Sequence, residues 1–161
     1  MAVTLPQDRP PQARPAAARP CRGRRNARPG SGAMIEVVKP RRGQAGPPDR
    51  PEYFSGTVRL HHLVRPAEAG KVELIGVFFE AGARTIPHVH STDQALYVVE
   101  GEGIVATERE RRIIRPGDIA VIPASTWHWH GATRTSAMMH LSMRPAGPTD
   151  WTVEKKNWDD Y

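Results

Sequence analysis

The chain has 161 residues, enough for one domain of ordinary size. Its composition excludes collagen-like and disulfide-dense classes, and no apolar run approaches the ~20 residues that a membrane-crossing helix needs. The net charge of +6 is unevenly spread: residues 1–50 hold 11 Arg and Lys against three acidic residues, whereas residues 51–161 hold 12 against 14. The stretch that reads as folded therefore has no basic excess, which argues against nucleic acid as a partner.

Residues 1–50 carry nine of the sixteen prolines, and their one apolar cluster is Met34 to Val38. Such a segment cannot offset the entropy of ordering, so it is read as a disordered tail. An Arg-rich binding arm and a transit-like peptide are weaker readings than a solvated extension, and a translation start at Met34 is a further one. Cys21 lies here without a partner in the chain, so no internal disulfide can form. The first thirty residues lack a continuous apolar signal core, which points to a cytoplasmic location.

From residue 51 to 161 the texture is that of a single all-β domain. Short apolar segments rich in β-branched residues predict strands at Gly56–Val64, Val72–Glu80, Thr85–His90, Ala95–Glu100, Gly103–Thr107, Arg112–Ile114, Ile119–Ile122, Trp127–His130 and Ala137–Met143. Gly82, Gly101-Glu102-Gly103, Pro116-Gly117-Asp118, Pro123, Gly131 and Pro145 to Pro148 supply the turns. Evenly spaced strands with tight turns imply an antiparallel barrel or double sheet. Trp151 to Tyr161 reads as a short helix or an extended arm.

Two H-x-H pairs carry the chemistry: His88 with His90, and His128 with His130. Residues two apart on a strand share a face about 6.6 Å apart along the chain, so each pair can aim two imidazoles inward at one metal. His61 and His62 read as ordinary surface or core histidines. Trp127 and Trp129 would then point outward, an apolar area suited to contact with a second protomer, as in a homodimer or homotetramer.

Gly82-x5-His88-x-His90-x3-Gln94-x6-Gly101 resembles the first cupin motif. Gly117-x5-Pro123-x4-His128 resembles the second, with Ser125 and Ala132 in place of the usual glycine and asparagine. The resemblance implies a cupin β-barrel, a double-stranded β-helix or jelly roll. Within that superfamily the chain is similar to small bacterial manganese cupins with hydroxynitrile lyase activity. The similarity runs through Phe54 to Val58, Gly82 to Thr85, Arg115 to Asp118, His128 to Ala132, Met139 to Leu141 and the acidic-aromatic end at Asp150-Trp151. It implies metal ligands His88, His90, Gln94 and His128, with His130 and His140 near the metal. Pro87 departs from the aromatic residue expected before the first ligand.

Gln94 replaces the glutamate more usual in this motif. Its amide oxygen can ligate and its NH2 can donate, or it can stand as a polar neighbour of a three-histidine site. Three imidazoles and an amide leave a divalent charge uncompensated, which favours Lewis-acid chemistry on an oxygenated ligand. Manganese is the metal the resemblance implies, and Fe, Zn, Ni and Co suit the same donors. In the Ala137–Met143 strand, His140 shares a face with Met138 and Ser142, either as a base over the metal or as a structural histidine. The expected activity is a metal-dependent lyase on a small-molecule substrate. The alternatives are an Fe(II) dioxygenase and a cupin that binds or senses without turnover.

Overall fold

A computed structural model of the chain describes residues 35–66 and 72–160. From Val37 onward the described residues cluster as one compact unit. The expectations for residues 1–33, for Cys21 and for a start at Met34 lie outside the described residues. Among the described residues, no helix is long and apolar enough to cross a membrane.

The strands in chain order are β1 (Phe54–Ser55), β2 (Val58–Val64), β3 (Val72–Phe79), β4 (Arg84–Thr85), β5 (Val89–His90) and β6 (Gln94–Gly101). They continue with β7 (Gly103–Thr107), β8 (Arg111–Ile114), β9 (Ile119–Ile122), β10 (His128–Ala132), β11 (Met138–Pro145) and β12 (Thr149–Asp150). Among the described residues they form two five-stranded antiparallel sheets, ordered β1-β4-β10-β7-β8 and β2-β3-β11-β6-β9, and a small pair β12-β5. The expected all-β antiparallel architecture is the one found.

Alternation sets the interior. Gln94, Leu96 and Val98 of β6 are buried while Tyr97 between them is exposed, the period-two pattern of a strand with one covered face. Val58, Val77, Phe79, Val98, Ile114 and Met138 make an apolar core between the sheets. Along β11 the inward face passes from Met138 in that core to His140, Ser142 and then Arg144. One end of the barrel is therefore sealed with hydrocarbon and the other is polar.

Three expectations need correcting. The predicted strand Thr85–His90 is two pieces, β4 and β5, broken around Pro87, which has no N–H to give to a ladder. His88 nonetheless pairs with His128 in an isolated bridge, each N–H reaching the other's carbonyl at 2.9 and 3.1 Å. The packed unit also begins before residue 51. Ala45 is buried against Phe78 and Met139, and Gly46 bridges to Leu60, contacts too few in apolar residues to be read from sequence.

The third correction concerns Trp127 and Trp129, which do not form an exposed patch. Both are buried, packed with Trp158 and Val153 from the C-terminal segment. That segment is an extended arm ending in a 3-10 turn at Trp158–Asp160. It is tied down by Trp127 Nε1 donating to Glu154 O at 2.8 Å, Trp158 Nε1 to Thr85 O at 2.9 Å, and the Arg111 guanidinium to Asn157 O and Asp160 O. The chain covers its own tryptophans, so they give no ground for a protomer contact.

Gly101, at the β6–β7 turn, has φ of 77°, and a Cβ there would collide with the Ala137 carbonyl. Gly101→Ala combines left-handed strain with overpacking, each worth roughly 1–3 kcal/mol. Chemical denaturation should show a loss of more than about 2 kcal/mol, and an unchanged midpoint would mean that the turn relaxes freely.

Candidate metal centre

The candidate ligands come from both sheets and the small strand pair beside them. His90 ends β5, Gln94 opens β6, His128 opens β10, and His88 is held beside β10 by its backbone bridge to His128. All four are buried. One ring nitrogen from each of His88, His90 and His128 lies within 4.8 Å of the other two. The H-x-H reading of His88 and His90 thus holds in space although the strand is interrupted between them.

Each ring has its second nitrogen committed. His88 Nδ1 donates to Ile86 O at 2.9 Å and His128 Nδ1 to Thr126 O at 2.8 Å. A carbonyl can only accept, so these bonds place the proton on Nδ1 and leave the Nε2 lone pair facing inward. His90 Nδ1 bonds Thr149 Oγ1 at 2.8 Å. Its Nε2 is buried with no hydrogen-bond partner among the described residues.

Gln94 completes the set. Its NH2 donates to Ser142 Oγ at 3.0 Å, which turns Oε1 toward the histidines. Oε1 then stands 3.1 Å from His128 Nε2, one acceptor against another. Two facing lone pairs and a third ring nitrogen without a partner form a set that suits a divalent cation and is unfavourable without one. The residues present therefore fit the metal that the motif implies, with Gln94 in place to ligate.

Burial and the neighbouring rings keep these groups neutral. Desolvation first, then the His128 and His90 charges, push His88 well below its ordinary 6.5. Desolvation first and then Arg144 lower His90 to about 3, and desolvation lowers His128 to about 4. Neutral imidazole is the ligating form.

His130 and His140 extend the cluster. His130 stacks on His128 with centroids 6.1 Å apart, and His140 meets His130 edge-on at 5.0 Å. Both are buried; desolvation holds His130 well below the ordinary range and His140 at about 4. His130 Nδ1 and both His140 nitrogens have no hydrogen-bond partner among the described residues. The two differ in access. His130 lines a cavity of about 230 Å³ together with His88, His90 and Gln94, whereas His140 lies behind it, tilted against Phe79 at 5.6 Å.

Several contributors had no sequence signal. Trp151 is sandwiched between Tyr53 at 4.4 Å and the ligand ring of His88 at 4.3 Å. With Thr149 on His90, the two-residue strand β12 and the residue after it steady two ligands from outside. A pair of strand residues after the Pro145-Ala146-Gly147-Pro148 turn is too short to predict. His62, read as ordinary, lines the cavity mouth with Glu73 and Arg144. Ser125, standing where the motif has glycine, takes a φ of 62° and donates its N–H to His90 O at 2.8 Å, which explains why glycine is usual there.

Comparison with known proteins is consistent with this geometry. The family model described as Cupin domain matches residues 77–143. The (R)-mandelonitrile lyase of Granulicella tundricola is 39% identical over 100 residues, covering 62% of this chain and 74% of that one. A cupin-like protein from Thermotoga maritima superposes with a TM-score of 0.64 at 28% identity, over 73% of this chain and 88% of that chain. A polyketide cyclase from Streptomyces resistomycificus gives a TM-score of 0.64 at 16% identity, over 80% and 94%, a likeness of fold alone.

Two outcomes follow. Thr149→Val removes the bond to His90 Nδ1 and should weaken metal binding by 10- to 100-fold in a calorimetric titration while the protein stays folded. In the metal-free protein these histidines should add no pH dependence to stability well above 6.5. Between 6.5 and about 4 the unfolded chain takes up protons that the folded histidines refuse, so stability should fall as pH drops. Denaturation midpoints across that range that do not change would contradict the burial of neutral imidazoles.

Proposed function

The chain belongs to the cupin superfamily, and from that membership we propose that it is a metal-dependent lyase, breaking or forming a C–C bond beside an oxygen-bearing carbon of a small substrate. One observation carries the reading: His88, His90 and Gln94, clustered with His128, line a cavity whose wall also presents the unprotonated imidazole of His130. The relative that acts as a mandelonitrile lyase supports the hydroxynitrile form of the reaction. Of the ions that such donors accept, manganese is the one we assign, on the resemblance to manganese cupins.

A divalent ion held by His88, His90, Gln94 and His128 supplies Lewis acidity toward a substrate oxygen. The chain's own residues handle the proton. His130, neutral at pH 7 and lining the cavity, takes the hydroxyl proton of a cyanohydrin. As that proton leaves, C–O becomes C=O and the bond to the nitrile carbon breaks, its electron pair departing with cyanide. The same proton returns from His130 to cyanide, giving aldehyde and hydrogen cyanide. His140 does not line the cavity, and its role is to fix the His130 ring by edge-on packing. Gln94 holds its oxygen in place through Ser142, and Trp151 holds the plane of His88.

Manganese-loaded protein should release benzaldehyde from mandelonitrile, followed by absorbance. Chelation should abolish the activity, and exclusion of oxygen should leave it unchanged. His130→Asn should lower kcat about 100-fold or more with metal content unaltered. Turnover that requires oxygen would replace the lyase with a dioxygenase, and saturable cyanohydrin binding without product would make the protein a binding module.

A further inference from the structure

The inward face of β11 does not end at Ser142. The next inward residue, Arg144, lines the same cavity as His88, His90 and Gln94, with 16% of its side chain exposed. Because Ser142 orients the Gln94 amide, Arg144 stands one inward step, about 6.6 Å along the strand, from a contact to a metal ligand. Its fork is fixed in place. One terminal nitrogen donates to Gly147 O at 3.0 Å and the other to Glu73 Oε2 at 3.0 Å, Glu73 being its register partner on β3. A guanidinium has five N–H groups, and these two contacts leave donors along its planar edge.

Stability does not explain an ion pair at this depth. A pair with 16% and 19% exposure gains little over well-packed apolar residues, of which Leu60, Ile75 and Phe54 supply several in the same wall. Charge gives a better account. The four ligands are neutral, Glu73 and Arg144 cancel, and Asp49 and Arg50 at the rim cancel as well, so a bound divalent ion leaves the cavity with a positive balance that draws anions.

Resting on the metal reading above, we infer that the substrate is a small organic acid, its oxygen-bearing reactive end at the histidines and its carboxylate on Arg144. The planar fork matches a carboxylate, whereas a doubly charged phosphate would call for more than one guanidinium. At about 230 Å³ the cavity admits a compact acid and little more. The carbonyl product of C–C cleavage is then an oxo acid, and the neutral aldehyde of the mandelonitrile assay serves as a truncated stand-in for it.

The probe is succinate against its monoamide, succinamate, bound to the manganese-loaded full chain and measured by calorimetry. Wild-type protein should bind succinate at least about tenfold more tightly. Arg144→Gln should equalise the two, with manganese affinity changed less than about twofold. Because R144Q strands Glu73, the double variant E73Q/R144Q, which removes both charges, provides a second and independent reading. Equal binding of the two probes by wild type, or a preference for succinate that survives in the double variant, overturns the inference. The lyase reading fails separately: no cleavage of any cyanohydrin alongside an intact, Arg144-dependent preference removes that activity and leaves the acid site standing.

Discussion

His128 Nε2 and Gln94 Oε1 face each other at 3.1 Å with both lone pairs inward, and burial keeps solvent from relieving them. Thr126 O holds the proton of the His128 ring and Ser142 Oγ accepts from the Gln94 NH2, so the arrangement is set by the backbone just before β10 and by side chains of β6 and β11. Much of the barrel's polar end follows from that fixed convergence. The Nδ1 bonds of His88 and His128 to carbonyls two residues earlier, the bridge between their backbones and the clamp on His90 all serve to hold acceptors where they would not otherwise gather.

The same logic orders the interior by depth. Along β11 the inward residues run from Met138 to His140, Ser142 and Arg144, a gradient from hydrocarbon through neutral imidazole and hydroxyl to charge. Burial penalises the charged form of His140 on this path and of His130 on β10, so a proton on either ring would be poorly held. A base that neither holds its proton nor exchanges it freely with water suits a reaction in which the same proton must return to a different atom.

Where the sequence carried a period, it was informative. The alternation of β6 and the H-x-H spacing of His88 and His90 are legible because a strand's two-residue repeat converts spacing into facing, whereas Gln94 and His128 join them only through the motif resemblance. What stayed hidden was set by contacts between distant segments. Ala45 is buried though its neighbours are prolines, glycines and arginines, and Thr149 matters only because β12 happens to lie on β5. Trp127 and Trp129 were correctly placed away from the histidines, yet their cover came from Trp158 thirty residues on, a distance at which periodicity says nothing. His62 and Arg144 reached the cavity through cross-strand register, which no local pattern encodes.

Thr149 and Trp151 come after every ligand in the chain, more than twenty residues beyond His128. A nascent polypeptide emerging from the ribosome therefore presents all four donors before the groups that steady His90 and His88 exist outside the tunnel. Any ion captured at that moment meets a looser cage than the finished one. The closing strap thus completes the histidine cluster only after the histidines themselves have emerged.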